Sequence, residues 1–221
     1  MKLFGRDQQR AGNGRGLMAA GLVLLTAAFL LTAHNSAEER RAKEASSSAL
    51  LQLSDREEAW EQSRARREDE RPGEQEVPDY ILNPDMEMPV KTVDGNEYVG
   101  VLEIPALELS LPVMSQWSEE RLKLSPCRYA GTAYQEGFVI AGHNYRSHFT
   151  PLKNLAPGDA VFFTDVDGNV FEYMVAETEK LRPEETAEML SGDWDLSLFT
   201  CTYGGQMRLT VRCIRRAEKD V

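Results

Sequence analysis

The spacing of apolar residues along the chain changes twice, and each change marks a boundary. From Leu17 to Ala33 the run LMAAGLVLLTAAFLLTA carries no charge. At 1.5 Å per residue it makes about 25 Å of helix, enough to span a bilayer whose ends adapt. Residues 37–71 are instead rich in Glu, Arg, Ala, Ser and Gln, with i, i+4 pairs such as Glu39 and Lys43 that favour a solvated helix. Ser54-Asp55-Arg56-Glu57 has the pattern of a capping box and predicts that a helix restarts there. Leu50, Leu51, Leu53 and Trp60 read as a few apolar contacts on that stalk, and Arg71-Pro72-Gly73 ends it.

After Pro78 the helical charge pattern gives way to short apolar runs broken by Pro, Gly and Asp, the texture of a mostly β domain. Strands are predicted at about Tyr98 to Ile104, Leu109 to Met114, Phe138 to Gly142, Ala160 to Phe163, Val170 to Ala176, Leu196 to Thr202 and Arg208 to Arg215. The segment 165–169 suits a hairpin turn in which Gly168 takes positive φ. Ser118 is placed to cap one short helix, and Pro183-Glu184-Glu185 to open another before Met189. Short strands at close spacing with one or two small helices fit a closed or nearly closed barrel, with a sandwich as the alternative. The chain thus divides into a basic tail (1–16), a transmembrane anchor (17–33), a charged helical stalk (34–77) and a β domain (78–221).

Composition narrows the function. The net charge of −11 in 221 residues excludes binding to nucleic acid through a basic surface, and the length allows one core of ordinary size. The three cysteines, Cys127, Cys201 and Cys213, are too few for a disulfide scaffold, although a Cys127–Cys213 bridge stays open. No C-x-x-C is present, and His143 and His148 do not share the i, i+4 spacing of a helical metal site. Asp159, Asp165 and Asp167 read as turn formers, so neither a metal nor another cofactor is expected.

The residues with chemical potential lie at strand ends. Phe138-Val139-Ile140-Ala141-Gly142 delivers His143 into a polar loop, Leu196–Thr200 delivers Cys201, and Gly204-Gly205 turns the chain back toward Arg208. On adjacent antiparallel strands Cys201 and Arg208 become neighbours. A histidine can balance or deprotonate a thiol, and an arginine offers fixed donors to a carbonyl oxygen gaining charge, so the trio suits attack on an amide through a thioester. Each also has a plainer reading: Cys201 as a small buried hydrophobe, His143 as a satisfied loop residue, Arg208 as an ion-pair partner. His148, ahead of Thr150-Pro151, reads as a surface residue, Cys127 as part of a loop, and Cys213 as core by its parity with Leu209 and Val211.

Ser197-Leu198-Phe199-Thr200-Cys201 resembles the Thr-Leu-x-Thr-Cys signature of the sortases, departing from it in Ser197. Ala141-Gly142-His143-Asn144 is similar to their histidine motif, Phe149, Leu152, Leu155 and Gly158-Asp159 to their loop-to-strand pattern, and Arg208 stands at the place of their arginine. The resemblance covers about residues 97–216. It implies an eight-stranded β-barrel and cleavage of a Leu-Pro-x-Thr-Gly-like sorting signal on surface proteins, followed by acyl transfer to an amine of peptidoglycan or of a pilin. Cys201 would be the nucleophile, His143 the acid/base and Arg208 the stabiliser of substrate or oxyanion. Thr200, Ser197 and Asn144, from the same motifs, are the expected substrate-binding positions. Thr202-Tyr203 is similar to some class B members, whereas the connection from about Thr178 to Asp195 is short for the long helical insertion of that class. A peptidase that only hydrolyses and a non-catalytic anchored β module are the rival readings.

The flank before Leu17 carries Lys2, Arg6, Arg10 and Arg15 against Asp7, and the small-x-small pattern of a cleavage site is poor, so a retained anchor with the N-terminus in the cytoplasm is expected. Protease added to intact cells should then degrade the C-terminal domain, and protection of that domain would reverse the orientation.

Overall fold

The computed structural model describes residues 7–70, 77–191, 194–202 and 204–216. The chain divides into two compact units, Met1–Arg40 and Arg41–Val221. In the first, the apolar stretch is helical and leaves large side chains uncovered: Leu17, Leu22, Leu24, Phe29 and Leu31 are all exposed. This helix is long and apolar enough to cross a membrane.

Helix α1 is assigned from Asp7 to Glu70 without interruption, so it begins inside the glycine-containing tail and does not restart at Ser54. The Ser54 hydroxyl donates back to the Leu51 carbonyl at 3.0 Å, as a mid-helix serine does. Within the second unit, Ala42, Ser46, Ala49 and Leu53 are buried, spaced i, i+4, i+7, i+11 along one face. Small side chains at three of these positions allow close approach to the domain. Ala49 and Leu53 pack with Val93, Tyr98, Met114 and Cys127, so this part of the stalk belongs to a core. Trp60 and the Arg71-Pro72-Gly73 stop lie outside the residues whose side chains or structure are described.

The β domain follows a short turn of helix, α2 (Asp79–Leu82). Its strands are β1 (Lys91–Val93), β2 (Asn96–Ile104), β3 (Leu109–Met114), β4 (Cys127–Ala130), β5 (Phe138–Ala141), β6 (Ala160–Asp165), β7 (Val170–Leu181), β8 (Leu196–Cys201) and β9 (Arg208–Arg215), with α3 (Glu119–Leu122) and α4 (Thr186–Leu190) in the connections. They hydrogen-bond in the order β1-β2-β3-β4-β5-β8-β9-β7-β6, and β2 also pairs with β6. That last pairing closes eight strands, β2 to β9, into a barrel, with β1 added as a hairpin arm. Closure removes the open edges a sheet of this size would otherwise present. β3/β4 and β5/β8 are parallel and the remaining neighbours antiparallel.

The expected strands form, β7 extends to Leu181, and Cys127, expected in a loop, begins a strand, β4. β4 is four residues long and alternates weakly, and its pairing with β3 rests on one registered position, Met114 opposite Cys127. Ser118 caps α3 as expected, accepting from the Arg121 N–H at 3.1 Å. Gly168 takes φ 83° in the β6–β7 turn, whose Asp165 carboxylate accepts from the backbone N–H groups of Asp167 and Asn169. Cys127, Cys201 and Cys213 are all free thiols, so the open question of a Cys127–Cys213 bridge is answered.

The barrel core holds Leu102, Ile104, Phe138, Ile140, Phe163, Tyr173, Leu196, Leu198 and Val211. Phe149, Leu152 and Leu155, on the crossover after β5, plug it from one end. Phe149 lies against Gly142, where a Cβ atom would stand 2.3 Å from the Phe149 ring. Gly142→Ala is therefore expected to displace that ring and lower stability by about 1–3 kcal/mol, the usual cost of overpacking. Chemical denaturation checks this, and an unchanged midpoint would mean that the ring has room to move.

Candidate active site

The end of β8 places Cys201 between two strands. On one side β9 runs antiparallel, with Cys201 registered opposite Arg208. The connecting turn is built by the Gly205 N–H donating to the Thr202 carbonyl and the Thr202 N–H donating to the Met207 carbonyl, each at 2.8 Å. Gly204 and Gly205 have φ of 84° and 72°, a region other residues enter at a cost, which is why this turn needs the glycine pair. The result is direct: Arg208 Nη1 donates to Cys201 Sγ at 3.0 Å, with both residues half-buried.

On the other side β5 runs parallel to β8, in the register Phe138↔Leu196 to Ala141↔Phe199. The ladder continues one step further, since the Gly142 N–H donates to the Phe199 carbonyl at 3.0 Å. His143 and Cys201 each lie two residues beyond the pair Ala141↔Phe199, so the parallel register brings them to the same end of neighbouring strands, whose spacing is about 4.8 Å. The His143 ring stacks on Tyr145, with centroids 3.8 Å apart and planes 20° from parallel. The three residues expected to do chemistry are thus gathered at one end of β5, β8 and β9.

The three expected substrate contacts stand differently. Asn144 Oδ1 accepts from the Thr150 hydroxyl at 2.7 Å, a clasp across its own loop. Thr200 points into the barrel and is buried. Ser197 is buried on the outer face of β8, where its hydroxyl accepts from Arg212 Nη1 at 2.8 Å.

Arg212, on the face of β9 opposite Leu209, Val211 and Cys213, is 2% exposed. Its guanidinium donates to the Met189 carbonyl at 2.9 Å and the Glu188 carbonyl at 2.7 Å, and pairs with Glu179 at 2.7 Å. Carbonyls in the last turn of α4 are thereby satisfied by a cation, which holds that helix over β8 and β9. Beneath it Val139, Leu181 and Met189 form an apolar patch with Tyr129, Ala130 and Phe199 on the outside of the barrel. Edge-to-face contacts continue from Phe199 to Tyr129 and on to Trp117. Tyr129 and Trp117 also line an open cleft of about 560 Å³, bordered by Met86, Met88 and Arg128.

Cys127 and Cys213 are buried, and burial pushes both thiols up to about 12, so neither is a thiolate at neutral pH. His148, expected at the surface, is instead wholly buried. The loop folds it inward because its N–H bonds to the Tyr145 carbonyl at 3.1 Å and its ring meets helix α1, with Nε2 3.1 Å from Ser46 Oγ. No sequence periodicity marks that contact, since its partners are 102 residues apart.

A family model described as a sortase domain matches residues 102–219. "Sortase A" of Bacillus anthracis is 26% identical over 129 residues, which cover 55% of this chain and 60% of that protein. Among solved structures, sortase C1 from Streptococcus agalactiae superposes with a TM-score of 0.52 at 21% identity, covering 66% of this chain and 80% of that one. A lid mutant of sortase A from Corynebacterium diphtheriae gives 0.51 at 21% identity, covering 63% and 77%. These two likenesses establish the barrel fold.

Burial, with a smaller contribution from nearby His143, lowers the pKa of His148 to about 4. Because the unfolded chain binds this proton near 6.5, the stability gained by keeping the ring neutral is present in full above 6.5 and is lost as pH falls toward 4. The difference is on the order of 3 kcal/mol. Denaturation midpoints between pH 7 and pH 4 should fall more steeply for the parent than for His148→Gln, and equal slopes would contradict it.

Proposed function

Because the chain belongs to the sortase family, whose members are transpeptidases, we propose that it cleaves a Leu-Pro-x-Thr-Gly-like sorting signal on surface proteins and passes the acyl group to an amine. The observation that carries this reading is the 3.0 Å contact from Arg208 Nη1 to Cys201 Sγ, with His143 on the flanking strand end. In the first half-reaction the Cys201 thiolate attacks the carbonyl carbon of the scissile amide. As the C–N bond breaks, the His143 imidazolium gives its proton to the departing amine, leaving a thioester on Cys201. In the second, an amine of peptidoglycan or of a pilin attacks the thioester, the C–S bond breaks, and His143 takes the surplus proton of the incoming amine. Both tetrahedral intermediates place negative charge on oxygen, and the Arg208 guanidinium is the fixed donor beside it.

Phe199, partly exposed and backed by the buried Val139, Leu181 and Met189, supports an apolar contact for the uncharged part of such a peptide near the thiol. Thr200 and Ser197, both buried, contribute to this contact by setting the shape of β8 and α4. Asn144 contributes by closing its loop on Thr150. The apolar helix before residue 34 is the proposed anchor, residues 1–16 its cytoplasmic tail and 34–77 its extension, with the enzyme on the outer face where surface proteins emerge.

Incubation with signal peptides and an amine, followed by mass spectrometry, tests the whole scheme. The parent should show an acyl adduct on Cys201 and a ligated product. Cys201→Ala should show neither, and Arg208→Ala should lower kcat about 10²- to 10³-fold, with Arg208→Lys recovering part of it. Hydrolysed peptide with no ligated product would favour a peptidase, and an unmodified Cys201 with undiminished turnover would sink the thioester route.

A further inference from the structure

We propose that Ser46 and His148 are positioning residues, through which the helix segment that follows the apolar stretch holds His143 at the thiol; this rests on the acid/base assignment of His143. The contact is specific in its protons. The Ser46 hydroxyl donates to the Leu124 carbonyl at 2.8 Å, and a hydroxyl has one proton to give. Its lone pair is therefore what meets His148 Nε2 at 3.1 Å, so His148 is the neutral tautomer with the proton on Nε2. Ser46 is 5% exposed and His148 fully buried, so water does not compete for either group.

From His148 the contact runs back to the catalytic loop in one step. Tyr145 lies between the two imidazoles, stacked on His143 at 3.8 Å and tilted against His148 at 5.5 Å. The backbone ties the same residues together, since the Phe149 N–H donates to the His143 carbonyl at 3.2 Å. The loop is thus pinned at His148 by α1 and at Phe149 by the barrel core. An apolar side chain at 148 would fill the same space without the cost of burying an imidazole. What the polar pair adds is direction, because a hydrogen bond fixes where the loop sits along α1, whereas an apolar contact slides. The segment around Ala42, Ser46, Ala49 and Leu53 accordingly sets the geometry of the site.

The test uses the full chain in lipid nanodiscs and four variants. Ser46→Ala and His148→Leu remove the bond, whereas Ser46→Thr keeps the hydroxyl and His148→Gln keeps a donor near the Nε2 position. Three quantities are read below the melting temperature of every variant: kcat and KM for peptide–amine ligation, and the pH profile of iodoacetamide alkylation at Cys201. Removing the bond should lower kcat by about tenfold to a hundredfold, as expected for a catalytic group displaced by a fraction of an ångström, with KM little changed. It should also move the alkylation profile, and the Thr and Gln variants should restore both. Parental kcat and profile in Ser46→Ala and His148→Leu, even with a lower melting temperature, would reduce the contact to a structural one. His143→Ala run alongside separates the two ideas. Loss in that variant with parental rates in Ser46→Ala overturns the positioning role alone, while parental rates in both overturn the acid/base role of His143 as well.

Discussion

The site depends on the hydrogen-bonded ladder on both sides of β8. Its parallel pairing with β5 and antiparallel pairing with β9 are fixed by backbone groups that cannot be left unpaired inside a barrel wall, so the register is strongly held. A slip of one residue on either side would exchange inward and outward faces, sending Leu196 and Leu198 out of the core. The position of His143 beside Cys201, and of Arg208 opposite it, therefore follows from the burial of residues several positions away. Because β5 and β8 are parallel, the chain must travel the length of the barrel between them, and the β6–β7 hairpin, the plug of Phe149 and Leu152, and α4 all occupy that excursion.

A second constraint is the burial of Arg212. A guanidinium taken out of water is costly unless its donors are met, and here Glu179, Ser197 and two carbonyls at the end of α4 meet them. The charge is better regarded as a device for placement than as a source of net stability, since an apolar residue could fill the space. It fixes a five-residue helix that on its own is too short to be stable. With α4 held there, Met189 and Leu181 stay over Val139, and Phe199 is left partly exposed at the edge of the cluster.

Much of this was legible in residue order. Strong two-residue alternation and turn glycines located most strands, and the ends of β3 and β9 agree with the structure to the residue. The pairing of Cys201 with Arg208 could be read because a short glycine turn joins their strands. The adjacency of His143 could not be derived from spacing, as a parallel partner is chosen by the whole barrel; motif resemblance supplied it. Three features escaped. β4 is short and weakly alternating, and closes only in the company of β3 and β5. Arg212 obeys parity, but the outer face of its strand is covered by α4, and parity says which face a residue takes without saying what lies above it. The helix face of Ala42, Ser46, Ala49 and Leu53 was hidden because small residues among charges resemble a solvated stalk. Their spacing was the available signal, and it is the periodicity, more than the hydrophobicity, that marks a close-packed face.

That face bears on how the loop at the end of β5 keeps its place. A stalk that was solvated throughout would leave the domain free to reorient without consequence for its chemistry. Here part of the helix following the apolar stretch contributes to the core through Ala49 and Leu53, and touches the histidine loop through Ser46. Any force that peels this segment from the barrel must expose Tyr98, Met114 and Leu53 and leave His148 without its partner, so it is opposed by apolar burial and by hydrogen bonding together. The loop bearing His143 has two pins that differ in kind: Phe149 is held by core packing against Gly142, and His148 by a directed bond to a helix. Packing sets how deep the loop sits, and the bond sets where it sits along the barrel rim. Both coordinates are needed before an imidazole can meet a thiol.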